Sequence, residues 1–112
     1  MISINRNEVW WVNFDPSIGG EIKKVRPAVI VSNNYSNSLL NRVQVVPITS
    51  NVEKCYPCEA YITVDSKKAK AMADQITTVS KKRLKDKISV LTTHEMELIE
   101  RAISIQLDMK LL

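Results

Sequence analysis

Short apolar runs separated by polar breaks recur along this chain at intervals too short for helices over most of its length. Positions 8–14, EVWWVNF, alternate strictly, with Trp10, Val12 and Phe14 on one face and Val9, Trp11 and Asn13 on the other, which predicts a first strand. Pro16, Gly19 and Gly20 then mark a turn or loop that holds the only two glycines in the protein. Ala28, Val29, Ile30 and Val31 form an apolar, mostly β-branched run that predicts a buried second strand. Directly before it stands Arg26, joined to Pro27. The proline holds Arg26 extended and has no N–H of its own, so the pair reads as a rigid strand entry. A guanidinium fixed in that way points to an anionic partner.

Further along, a polar stretch contains a short helical segment at 35–40, and VQVVPIT at 43–49 predicts a third strand in which Pro47 implies an edge position or a bulge. AYITV at 60–64 predicts a fourth, DSKKAKAM at 65–72 reads as a polar connection, and Ile76 to Val79 alternate as a fifth. KKRLKDK is a basic turn, and ISVL at 88–91 is a last short strand or an apolar loop. The terminal segment changes period: Thr92 and Glu95 have capping-box spacing, and Met96, Ile99, Ile103 and Leu107 share one helical face. Five or six short strands followed by one helix define a mainly β (α+β) protein, a small, strongly bent antiparallel β-barrel with a C-terminal α-helix.

With 112 residues, 45% of them hydrophobic and 25% charged, the chain is expected to form a single domain over 1–112. A net charge of +4 permits a polyanionic partner without requiring one. The first residues lack the apolar core of a signal peptide, and no segment approaches the roughly 20 apolar residues of a membrane span. The expectation is a soluble, cytoplasmic protein with no membrane partner. Cys55 and Cys58 form the C-x-P-C of a thiol oxidoreductase, but EAYITVD alternates as a strand where that chemistry needs a helix. One C-x-x-C and the single His94 cannot fill four zinc positions within one chain. The thiols are read as incidental, with redox chemistry or an intersubunit metal as the alternatives, and no cofactor or metal is expected.

Taken in order, these segments resemble the MazF/PemK family of toxin endoribonucleases over nearly the full chain. EVWWVNFDPSIGGEIKKVRPAVIVSNN is similar to the family's first hairpin, with its D-P-x-x-G-x-E loop and R-P strand. VVPITSN is similar to its third-strand signature, and DQITTVSKKRL to its D/E-Q-x-x-T-x-x-x-x-R-L block. The resemblance implies an SH3-like barrel that forms a homodimer and inhibits translation and growth until a cognate antitoxin protein neutralises it. It also implies metal-independent, sequence-specific cleavage of single-stranded RNA or mRNA by 2′-OH attack, leaving 2′,3′-cyclic phosphate and 5′-OH ends. Family catalytic roles fall on Arg26 and Thr49, with Asp74 and Glu21 as candidate acids. RNA-contacting positions fall on Lys23, Lys24, Ser50, Asn51 and Gln75, and on the basic segment at Lys81, Lys82 and Arg83. Gly20 and Met72 stand where some members carry a histidine and an arginine, which leaves the general base open between Asp74 and Glu21. The competing readings are a CcdB-like gyrase poison of the same fold, whose aromatic tail is missing from the ending DMKLL, and a non-catalytic nucleic-acid-binding barrel.

Overall fold

The structure, a computed structural model, describes residues 3–14 and 25–110. Seven strands and two helices follow in the order β1 (Glu8–Asn13), β2 (Val25–Ile30), α1 (Asn34–Leu39), β3 (Arg42–Thr49), β4 (Glu59–Val64), β5 (Lys67–Met72), β6 (Thr77–Ser80), β7 (Leu84–Val90) and α2 (Thr93–Gln106). Short 3-10 turns at Ala73–Gln75 and Lys81–Arg83 flank β6. All pairings are antiparallel, in the order β4-β5-β3-β2-β1-β7 with β6 also on β3. The sheet bends sharply where β1 meets β7, because the register slips twice, between Val9 and Trp10 and between Trp10 and Val12.

That bend covers both faces of the central strands. One core, under α2, gathers Val9, Val29, Val46 and Ile48 with Met96, Ile99 and Ala102. The other gathers Trp10, Val12, Ala28, Ile30, Val43, Val45 and Val79. Two-sided burial is why the second and third strands read as continuous apolar runs rather than alternating ones.

The structure departs from the sequence reading in several places. Leu84–Lys87, read as part of a basic turn, is the first half of β7, and β2 begins at Val25, so Arg26 and Pro27 lie inside the strand rather than before it. DSKKAKAM is a strand: Asp65 and Ser66, at φ 50° and 68°, form a two-residue hairpin that pairs Val64 with Lys67. Its signal was weak because alternating Lys and Ala carry little strand propensity. β6 begins at Thr77, one residue late, because Ile76 closes the preceding 3-10 turn by donating its N–H to the Ala73 carbonyl. Pro47 is buried in a central strand, neither at an edge nor in a bulge. It sits where one side of β3 passes from β6, last paired at Val45, to β5, first paired at Ile48, so its missing N–H breaks no ladder. Leu107 is 53% exposed as the C-cap of α2, while Ala102 takes a place on the buried face.

The capping box at Thr92 and Glu95 is present, and Glu95 does more than cap. One carboxylate oxygen accepts from the Thr92 N–H and hydroxyl (3.0 and 3.1 Å), and the other accepts the Thr63 N–H at the free edge of β4 (2.7 Å). Glu8 is buried and accepts from the Asn5 N–H, the Trp10 indole and Lys87. Burial pushes both carboxyls up, but the backbone and side-chain donors together outweigh it, leaving both below the ordinary 4.5. A depressed folded pKa stabilises the fold above the unfolded value, and that stability is lost as pH falls through the folded value. Urea unfolding followed from about pH 7 to about pH 3 should therefore give a flat midpoint above roughly pH 5 and a falling one below it, with Glu95→Gln flattening the fall.

Candidate functional site

Arg26 lies at the open end of β2, opposite Val12 on β1. On its other side the β2–β3 ladder runs Ile30↔Val45, Val29↔Val46, Ala28↔Pro47 and stops. It stops at Pro27, which faces β3 and has no N–H to extend it. Arg26 and Thr49, each two places beyond the last pair on its own strand, line one groove. From Thr49 a cross-strand row runs through Lys70 on β5 to Tyr61 on β4.

Two open grooves meet at Arg26. One, of about 420 Å³, is walled by Phe14, Pro47, Gln75 and Thr77. The other, of about 400 Å³, is walled by Trp11, Pro27, Ile48, Thr49 and Ser50. It shares all five of these residues with a third groove of about 260 Å³ that reaches Asp65, Lys67 and Lys68 at the β4–β5 hairpin. Among the described residues, three cationic side chains (Arg26, Lys67, Lys68) and one carboxylate (Asp65) line this connected surface.

The hydrogen bonding around Thr49 is specific. Its hydroxyl oxygen accepts the Asn51 N–H at 3.2 Å, which leaves the hydroxyl proton free to point outward, and the Asn51 side chain in turn accepts the Glu53 N–H at 3.2 Å. Arg26 is exposed, and none of the described residues pairs with it. A cation and a hydroxyl donor side by side in an open groove can both bind the oxygens of one phosphate.

The other expected residues divide. Gln75 and Ser50 share grooves with Arg26, and Asn51 orients Thr49. Asp74 is exposed on the 3-10 turn beside Cys58, whose thiol its charge helps to push up after burial itself. Lys81 and Lys82 stand at the far end of β6 from Thr77, roughly 10 Å along the strand. Arg83 folds back, its guanidinium donating to the Asn13 carbonyl at 3.0 Å. Glu21, Lys23 and Lys24 lie outside the described residues. Sequence reasoning missed Lys67 and Lys68, which arrive with the unrecognised hairpin. Of the tryptophan pair it placed on opposite faces, Trp10 is core and Trp11 is 41% exposed in the groove. Among the described residues, no group of three or more His, Cys, Asp or Glu side chains is placed to hold a metal ion.

An arginine and a threonine lining one open groove at the end of a ladder place this chain among bent antiparallel β-sheet proteins with a polar groove at the strand ends. Comparison with known proteins is consistent with that class and narrows it. The model of the PemK-like, MazF-like toxins of type II toxin-antitoxin systems matches residues 5–107, and the chain belongs to that family. It is 33% identical over 115 residues to Endoribonuclease MazF9 of Mycobacterium tuberculosis, covering 95% of this chain and 98% of the relative. In structure it is similar to an endoribonuclease from a mycobacterial species, with a TM-score of 0.82 and 24% identity over 100% of this chain and 98% of the other. It is also similar to a mycobacterial endoribonuclease in complex with its cognate antitoxin, with a TM-score of 0.80 and 24% identity over 97% and 99% of the two chains.

Proposed function

We propose that this protein is an endoribonuclease toxin that cuts single-stranded RNA at the Arg26–Thr49 groove. The observation that supports the reading is the groove that Arg26 and Thr49 line together where the β2–β3 ladder ends. In-line attack by the substrate's own 2′-hydroxyl builds negative charge on the phosphorane oxygens. Arg26 answers it with two parallel N–H bonds and a charge that does not titrate away, and Thr49 adds its outward hydroxyl proton. The 5′-oxygen departs, taking a proton from solvent water to become the 5′-hydroxyl, and leaves a 2′,3′-cyclic phosphate. The proton taken from the 2′-OH goes to a carboxylate, Glu21 or Asp74. Trp11 offers an aromatic face to an unstacked base beside the scissile phosphate, and Lys67 and Lys68 draw the backbone along the groove.

The same groove is proposed to take an acidic segment of a cognate antitoxin, which competes with RNA for its cations. That reading is supported by the related endoribonuclease solved with its antitoxin. A homodimer acting in the cytoplasm completes the proposal; the exposed apolar side chains Leu98, Ile105, Leu107 and Met109, on and just beyond α2, offer surface for a second copy to cover. The test is incubation with a long single-stranded RNA and the matching DNA in the presence of EDTA. Discrete RNA cuts with cyclic phosphate and 5′-hydroxyl ends, and intact DNA, are expected; intact RNA overturns the reading. In the same assay Glu21→Gln and Asp74→Asn separate the two bases, since only loss of the true base abolishes the acidic limb of the pH–rate profile.

A further inference from the structure

Cys55 and Cys58 line none of the grooves around Arg26, yet they sit in a closely built turn. The Glu59 N–H donates to the Tyr56 carbonyl at 2.8 Å and the Tyr56 N–H donates to the Glu59 carboxylate at 2.9 Å, which places Pro57 and Cys58 in its middle. Both cysteines are free thiols. Cys55 is exposed, and its Sγ reaches over the turn to within 3.5 Å of the carbonyl oxygen of Glu59, the neighbour of Cys58. The flanking loop is anchored from below, by the Tyr61 hydroxyl on the Val52 carbonyl (2.8 Å) and by Lys70 Nζ on the Lys54 carbonyl (2.7 Å). A distortion at the turn is therefore not absorbed by the loop.

The turn is also tied to the groove. The Cys58 carbonyl accepts the Ala73 N–H at 3.0 Å, and Ala73 opens the 3-10 turn whose last residue, Gln75, walls the groove with Arg26. We propose that Cys55 and Cys58 are a reversible thiol–disulfide modification site, oxidised by hydrogen peroxide, whose closure moves the Ala73–Gln75 turn and slows RNA cutting. The last step rests on the function proposed above.

The chemistry balances. The Cys55 thiolate attacks peroxide, the O–O bond breaks, and one oxygen leaves as water while Cys55 becomes a sulfenic acid. Cys58 then attacks that sulfur, forming the S–S bond and releasing the second oxygen as water, so two thiols and one peroxide yield one disulfide and two waters. Burial, then the charges of Asp74 and Glu59, and last Cys55, push the Cys58 thiol up, so this closing step speeds up as pH rises.

The experiment treats the full chain with hydrogen peroxide and follows intact mass, free-thiol count, amide exchange at Ala73 and RNA cutting. Expected are the loss of two hydrogens within one chain, altered protection at Ala73, and cutting reduced about tenfold or more, all reversed by dithiothreitol. Cys55→Ser and Cys58→Ser, each compared with itself before and after peroxide, should show none of these responses. Thiols that stay free, a disulfide joining two chains, or a closed bond that leaves Ala73 exchange and cutting unchanged would each overturn the proposal. If the reduced protein does not cut RNA at all, the nuclease reading fails, while mass and Ala73 exchange still decide whether the dithiol site exists.

Discussion

Arg26→Ala is expected to lower RNA cutting by about 10³-fold, the scale of losing a donor aimed at charge that develops only in the transition state. Its effect on stability should stay within about 0.5 kcal/mol, because the side chain is exposed and no described residue pairs with it. RNA affinity should fall far less than cutting. Among the described residues Arg26 is one cation of three in the connected grooves, and one lost phosphate contact on a single strand reduces the salt slope by roughly 0.7. Single-turnover cleavage and filter binding on the same RNA separate the two effects. Equal losses in both would place Arg26 in binding alone and remove it from the chemistry.

Lys70→Met is expected to destabilise the fold by about 3 kcal/mol, through a mechanism that has nothing to do with RNA. Lys70 and Glu59 are an ion pair at 3.1 Å with side chains only 8% and 9% exposed, and the same ammonium donates to the Lys54 carbonyl at 2.7 Å. Removing the cation strands a buried carboxylate and a carbonyl together. Adding Glu59→Gln should recover part of the loss, because the stranded group is then neutral; a coupling of more than about 1 kcal/mol in the double-mutant cycle is the expected sign. Urea midpoints at constant m-value measure it, and a single-variant loss below about 0.5 kcal/mol would show that the pair is not buried in solution. Since Lys70 is the register partner of Thr49, the variant should also cut RNA more slowly below its unfolding midpoint.

Both expectations rest on residues of very different legibility. Arg26 announces itself, since a charged side chain locked to proline before an apolar run is a local signal. Lys70 does not. In KKAKAM it looks like one more surface lysine, and only the β4–β5 hairpin and the burial of Glu59 turn it inward. The DQ block pointed to both Asp74 and Gln75; the 3-10 turn presents Gln75 to the groove and sets Asp74 beside Cys58.

By itself, the sequence determined what depends on neighbours along the chain. The period-two strands and the box at Thr92 and Glu95 arise from sterics and hydrogen bonds within a few residues, and the family motifs were legible as a resemblance. Tertiary structure alone decided what depends on partners far along the chain. It buried Trp10 and left Trp11 in the groove, made a strand of a polar stretch, tucked Pro47 between two partner strands, and brought Arg26 and Thr49 to one groove. The reason is that a ladder register slides in steps that local propensity does not distinguish, so only burial of both faces of the bent sheet selects one.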